Sequence, residues 1–319
     1  MIDPNFLHYF SASLSIGLAV LGAGIGLGIA GFGTLQEMMR QPLAHGHCFR
    51  AMLIGLALIE SGAIIALVMT IILLIFAADV MTWSLALTEL SAALAVGIAA
   101  ATIGLASSFV VKSATRAIAR EPHFSQKITT LMLITQSIIE APVMFSFIIS
   151  LIIRFNVTDT IDLATSLKFL AIGLSMALGC IGPSIGQSIL ASSSCFTLGR
   201  FKDAYSRLFP FTLLSQAMIE TPIAFCLLFG FYLIYTPLPS NPESSLLGII
   251  TPFVLASLLM GIASIGPGIG MGYITSKSII QVAQNPAIYQ TMVKVTLLAC
   301  AFLEASLIYA LIIGLFLVT

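Results

Sequence analysis

The chain has 319 residues, 59% of them hydrophobic and 8% charged, with thirteen basic side chains balanced by thirteen acidic ones. A mean hydropathy of +1.09 excludes a soluble domain with an ordinary core and marks an integral membrane protein. A formal net charge of zero leaves no basic surface for nucleic acid.

Taken in chain order, apolar stretches long enough to cross a bilayer recur eight times, at about 9–36, 51–78, 89–113, 128–153, 167–196, 209–235, 247–275 and 291–317. All are predicted helices, because an open strand leaves its backbone unsatisfied in lipid. The first ten residues, MIDPNFLHYF, lack the positive n-region of a signal or transit peptide and read as a short non-cytoplasmic tail. Eleven of the thirteen Lys and Arg residues lie in or beside the loops that follow odd-numbered spans; only Arg154 and Lys168 lie on the other side. The positive-inside rule makes the first set of loops cytoplasmic and puts both termini outside. Cys48, Cys180, Cys195, Cys226 and Cys300 show no metal-ligand spacing and read as small packing residues without a disulfide framework. His8 falls at the N-terminus and His45, His47 and His123 in predicted loops. That placement argues against a buried metal site.

Four glutamates organise the spans. Glu60, Glu140, Glu220 and Glu304 each stand alone in an apolar run, at intervals of 80, 80 and 84 residues. A carboxyl in hydrocarbon is costly whether charged or unpartnered, so four at a near-constant period read as four copies of one ion-binding site. A second landmark keeps step. The motifs GAGIGLG (22–28), TIGLASS (102–108), GPSIGQS (182–188) and GPGIGMG (266–272) place Leu27, Ser107, Gln187 and Met271 33 residues before their glutamates. The midpoint falls in the cytoplasmic loop, so both landmarks lie at similar depth in an antiparallel hairpin, about 25 Å from the loop centre at 1.5 Å per residue. The expected fold is therefore all-α: eight transmembrane helices as four tandem hairpins, over 1–82, 83–160, 161–240 and 241–319, assembling into a two-layered oligomeric ring. The four extra residues of the last interval belong in the outer loop TPLPSNPESS.

Alternate glycines in the odd helices spread small residues over several faces and suit a crowded inner layer; an ordinary small-residue helix pair in a monomeric bundle is the competing reading. The bulkier even helices carry the glutamates and suit an outer layer. Head-to-tail repetition of one packed pair either closes a ring or leaves an open array. Pro142 and Pro222 stand two residues after Glu140 and Glu220 and free the carbonyls of Ile138 and Met218. These carbonyls are candidate acceptors for a protonated carboxyl or ligands for a cation, unless the prolines only kink their helices. Gln136 and Gln216 stand one turn before the same two glutamates. Desolvation favours a neutral acid facing lipid and an ionised one where water or a cation meets it, which is what a proton carrier requires.

These residues resemble the c subunit of rotary F-type ATP synthases over nearly the whole chain. The segment GAGIGLGIAGFGTLQEMMRQP followed by ALIES, and GPGIGMGYITSKSIIQVAQNP followed by FLEASLIYALI, carry the likeness. The usual subunit is one hairpin; this chain looks like four fused in tandem. V-type relatives are commonly multi-hairpin but often lose carboxylates, and none is lost here. The resemblance implies a rotor ring, without bond chemistry or cofactor of its own, in a bacterial inner membrane. The glutamates would exchange ions with half-channels of the stator a subunit, and the cytoplasmic loops would bear on the γ and ε subunits of the central stalk. The matching loop positions are Arg40, Gln41 and Pro42; Arg120, Glu121 and Pro122; and Gln284, Asn285 and Pro286. The third loop, LGRFKDAYSR, has no such proline, so the stalk contacts are expected to be unequal among repeats. In sodium-binding relatives a glutamine on the glycine helix, a hydroxyl after the glutamate and a tyrosine complete the site. Gln187, Ser61, Thr221 and Tyr309 match singly, but no repeat holds the full set, so protons are the expected ion. A sodium-coupled or V-type rotor is the alternative. A self-contained transporter or channel would need a polar pore stripe or inverted repeats.

Overall fold

A computed structural model of the chain describes residues 3–78, 80–156, 161–239 and 245–319. Among them every regular element is helical: α1 (Pro4–Arg40), α2 (His45–Ile75), α3 (Trp83–Arg120), α4 (Ser125–Ile139), α5 (Ala141–Asn156), α6 (Leu163–Leu198), α7 (Tyr205–Tyr235), α8 (Leu246–Gln284) and α9 (Tyr289–Val318). The α4 and α5 helices form one span interrupted at Glu140, so eight spans are long and apolar enough to cross a membrane. The protein is thus an all-helical membrane protein of eight spans.

Each odd-numbered span begins at a polar N-cap. Asp3, Thr82, Asp162 and Ser245 accept hydrogen bonds from the backbone N–H of Asn5, Leu85, Thr165 and Gly248, satisfying donors that the first helical turn leaves orphaned. These helices run 36 to 39 residues. At 1.5 Å per residue that is about 55 Å, well beyond the ~30 Å of hydrocarbon. The apolar spans read from sequence are therefore too short, because hydropathy stops at the headgroup region while helical geometry continues past it.

All four hairpins turn in the same way. The residue that leads into the turn has φ near −130° in Gln41, Glu121, Phe201 and Asn285, and a single 3-10 turn then opens the second helix; in the third hairpin Gly199 and Arg200 intervene between α6 and that residue. Three of these turns begin on proline, at Pro42, Pro122 and Pro286; the third begins on Lys202. The third loop keeps the turn without the proline. His45 and His47 lie inside α2, at its first residues, and not in a loop as expected; the His47 Nδ1 is 3.0 Å from the Ser125 hydroxyl.

The helices form two layers. The inner layer is the row α1, α3, α6, α8, each packed along its length on the next. On the outside, α2 sits against α1 and α3, the α4–α5 span against α3 and α6, α7 against α6 and α8, and α9 against α8. Glycine makes the inner row close enough. A Cβ added at Gly182 would stand 2.5 Å from the Ile265 Cα, and Gly22, Gly26, Gly186, Gly268 and Gly272 are also overlaid by the neighbouring backbone. Between α3 and α6 the small residues are polar, and the Ser188 hydroxyl donates to the Ala106 carbonyl at 2.6 Å. The row is open at both ends: added Cβ atoms at Gly24 and Gly28 on α1 and at Gly266 on α8 would meet nothing within 4 Å.

The two basic residues at the end opposite the four hairpin turns have specific partners. Arg154 donates to the Phe76 carbonyl at the end of α2. Lys168, almost fully buried, donates to the carbonyls of Ile234 and Thr236 at the end of α7, at 3.3 and 3.0 Å. Both place a cation at a helix C-terminus, where the last carbonyls are unpaired and the dipole is negative. His8, expected in a free tail, is a buried residue of α1 with its Nδ1 2.5 Å from Glu89 of α3. All five cysteines are buried and free.

Candidate ion-carrier sites

Each of the four glutamates sits on an outer-layer helix, and the inner helix of its own hairpin faces it at the expected depth. The first hairpin shows this directly. Glu60, Ala63, Ile64 and Leu67 of α2 and Ala23, Gly24 and Leu27 of α1 line one groove of about 300 Å³. Leu27 and Glu60 are the two landmarks separated by 33 residues in sequence. Among the described residues nothing outside α1 and α2 lines this groove, and Glu60 is exposed while Glu140, Glu220 and Glu304 are half-buried.

The three covered glutamates show how neighbouring hairpins meet. The Thr221 hydroxyl, on the third hairpin, donates to Glu304 Oε1 on the fourth at 2.8 Å. It also lies 2.9 Å from the Met218 carbonyl, the group freed by Pro222. The single hydroxyl proton serves one of these two oxygens at a time, and it is Thr221 and not Glu220 that approaches the freed carbonyl. Two steps back along the row, Ser61 of the first hairpin faces the Glu140 carboxyl of the second while its hydroxyl bonds the Leu58 carbonyl at 2.7 Å. Glu140 Oε1 is buried with no partner. The residue after the glutamate thus points at the next hairpin's carboxyl. In the second and fourth hairpins that residue is alanine, Ala141 and Ala305.

The other expected supports are arranged differently from one another. Pro142 breaks its span at Glu140, whose N–H still reaches the Gln136 carbonyl, whereas α7 passes through Pro222 unbroken. Gln136 and Gln216 do not turn to their own glutamates. Their amide groups donate back to the preceding outer helix, at the Gly55 carbonyl (3.4 Å) and the Thr135 carbonyl (3.1 Å). Gln187 is fully buried, and neither its Oε1 nor its Nε2 has a hydrogen-bond partner among the described residues. Tyr309 is exposed and takes no part in a covered site. Sequence spacing does not reveal the hydroxyl crossing from one hairpin to the next, because it assigns each side chain to its own hairpin.

The loop residues Arg40, Gln41 and Pro42, Arg120, Glu121 and Pro122, and Gln284, Asn285 and Pro286 fall at the first, second and fourth turns, at the end opposite the helix N-caps of the inner row. Glu121 pairs with Lys202 across the second and third turns at 3.5 Å.

Comparison with known families finds the same fourfold unit. The family model of the ATP synthase C subunit matches four times, at residues 10–73, 90–153, 170–233 and 254–317. The chain belongs to the ATP synthase C subunit family. Each match takes in one hairpin and one of the four glutamates. The ATP synthase c subunit of Dehalococcoides mccartyi is 42% identical over 76 residues, all of that protein and 24% of this chain. That of Syntrophobacter fumaroxidans is 46% identical over 64 residues, 71% of that protein and 20% of this chain. A whole relative thus corresponds to about a quarter of this chain, so four such units are fused here.

Proposed function

We propose that this chain is the ion-carrying rotor subunit of a bacterial F-type ATP synthase, moving protons on Glu60, Glu140, Glu220 and Glu304. The observation that carries the reading is the recurrence of one carboxyl at one place in each of four family units, on the outer layer where a stator can reach it. Each glutamate takes a proton from one half-channel of an a subunit, crosses the lipid as the neutral acid, and releases it to the other. The protein itself makes and breaks no covalent bond to substrate. The turns at Gln41, Glu121, Phe201 and Asn285 offer four contacts to the γ and ε subunits of a central stalk, on the cytoplasmic side of the inner membrane, and the third, opened by Lys202 in place of proline, differs from the others in side chains.

The open ends of the inner row support assembly with further copies. Gly266 and Gly270 of α8 occupy the repeat positions of Gly182 and Gly186, which face the next helix; Gly24 and Gly28 of α1 occupy those of Gly268 and Gly272, which face the previous one. A second copy's α1 on α8 repeats the glycine-to-glycine contact already made between α6 and α8, and closes a ring once the rotation is complete. The same step covers the Glu60 groove with another copy's α9 and sets Ala305 beside Glu60. The carriers then come in two kinds: Glu140 and Glu304 receive a neighbour's hydroxyl, and Glu220 and Glu60 receive a neighbour's alanine.

Sodium is the second reading, and Gln187 favours it: a buried amide without a partner, at the repeat position of Leu27, is available to a cation near Glu220. A sodium site needs several oxygen ligands, and no single hairpin supplies Gln187, a hydroxyl and a tyrosine together. Carbodiimide labelling of membranes, mapped by mass spectrometry across pH with and without sodium, separates the two. Labelling of all four glutamates that falls as pH rises and ignores sodium supports the proton carrier. Sodium protection moves the assignment to a sodium rotor, and no labelling at any of the four overturns the carrier.

A further inference from the structure

At the turn end of the inner row, charges of one sign are packed together. The guanidinium groups of Arg116, Arg120 and Arg200 lie 5.2, 4.4 and 4.7 Å from the centre of the single Phe196 ring. Arg40 and Lys112 stand on the same side, around a cavity of about 330 Å³ that Arg116 and Phe196 also line. One carboxylate serves them: Glu37 is 2.9 Å from Arg40 and 3.9 Å from Arg116. Among the described residues no carboxylate pairs with Arg120, Arg200 or Lys112. Arg40, Arg116 and Arg200 lie close enough to Arg120 to repel it. Stacking on an aromatic face offsets part of that repulsion, but five cations around one carboxylate still lack an anion.

The cavity does not end at the charges. Phe109 and Ser113 line both it and a larger groove of about 770 Å³ that runs between α3 and α6, walled by Leu105, Ile181, Ile185 and Ile189. The groove is apolar and its lining comes from the inner layer alone. A cationic mouth at the membrane edge leading into an apolar channel along two helices has the polarity of one kind of molecule.

We propose that this composite cavity is a binding site for one anionic phospholipid, its phosphate held by Arg116, Lys112 and Arg40 and an acyl chain lying between α3 and α6. Guanidinium groups match phosphate oxygens in geometry as well as charge. The site occurs once per chain and not once per hairpin. At the repeat positions of Lys112 the other hairpins carry Phe32, Ser192 and Ser276, and at those of Arg116 they carry Gln36, Phe196 and Ile280. The lipid therefore marks one of the four hairpin junctions. The proposal concerns the inner face, and it stands or falls separately from the ion carried on the outer one.

The test is native mass spectrometry of the purified assembly in mild detergent, titrated with phosphatidylglycerol or with phosphatidylcholine of the same acyl chains. One phosphatidylglycerol retained per chain, with phosphatidylcholine retained about tenfold more weakly, is expected. Lys112→Gln with Arg116→Gln removes that preference, Arg116→Lys keeps much of it, and Arg50→Gln, on the outer layer, leaves it unchanged. Ile185→Trp fills the groove and expels the lipid while the charges remain. Equal retention of the two lipids, four lipids per chain, or displacement of phosphatidylglycerol by millimolar inorganic phosphate with no effect of Ile185→Trp would each overturn the proposal. Intact assembly mass in every variant guards against misfolding as the cause.

Discussion

Gly182 and Gly266 hold the same repeat position, each followed by proline, but only one of them is covered within the chain. A Cβ added at Gly182 would stand 2.5 Å from the Ile265 Cα and 2.7 Å from the carbonyl oxygens of Ser264 and Ile265. Ordinary contact begins near 3.4 Å, so Gly182→Ala forces α6 and α8 apart by about 1 Å, a gap that forfeits a quarter to a half of each dispersion contact along the seam. Overpacking of this kind costs about 1–3 kcal/mol. At Gly266 nothing lies within 4 Å, and alanine in an open helix is favoured over glycine by roughly 0.5–1 kcal/mol. Thermal unfolding of separated chains in detergent should show Gly182→Ala several degrees below the native protein and Gly266→Ala at or slightly above it. Native mass spectrometry should show the reverse order for assembly, with Gly266→Ala forming fewer multi-chain particles. If the two variants unfold alike as single chains, the close α6–α8 seam is wrong. If Gly266→Ala assembles normally, α8 is not the face that meets another copy.

Thr221→Ala removes the donor to Glu304; the carbodiimide labelling curve of Glu304 against pH, distinct from that of Glu220 in the native protein, should then overlay it, while Glu60 does not move. Glu220→Gln should abolish most ATP-driven proton pumping in reconstituted vesicles, since every carrier must pass the same stator, and pumping above about half the native rate would argue for independent sites. His8→Leu leaves Glu89 buried without its partner and should lower thermal stability by about 3–5 kcal/mol, with His8→Leu combined with Glu89→Leu recovering much of the loss in the same unfolding assay. Lys168→Met strips the donor from two carbonyls at the end of α7; a destabilisation of about 1–3 kcal/mol should appear together with faster hydrogen exchange at residues following Tyr232.

Most of the fold is legible in the sequence because membrane burial leaves few ways to place a carboxyl or a glycine. The spacing of Leu27 and Glu60 alone puts both on one groove, and the alternate glycines of α1 and α8 imply contacts on two faces. The misreadings share a cause. His8, Glu89 and Lys168 lower local hydropathy, so the expected spans begin after or at them, yet each is buried by pairing across hairpins. Such pairing has no local signature, because the partner lies 66 or 81 residues away. The third turn keeps its backbone form without a proline, because the antiparallel packing of α6 and α7 requires a turn there whatever residue opens it. The same limit hides the Thr221–Glu304 bond, which joins residues 83 apart. The loop that holds the extra residues of the last interval, and the boundaries expected at 160 and 240, fall partly or wholly on residues outside those described.

The inner row has a thermodynamic asymmetry. Its seams α1–α3, α3–α6 and α6–α8 join parts of one polypeptide, so each forms at the high effective concentration set by a short connection, in the millimolar range or above. Only the seam between α8 and another chain's α1 depends on how much protein the membrane holds. In the proposed ring, assembly of many hairpins is reduced to a meeting of a few chains, and dilution would open it only at one junction in four. In that ring, units of four fused hairpins would change the number of carriers only in steps of four.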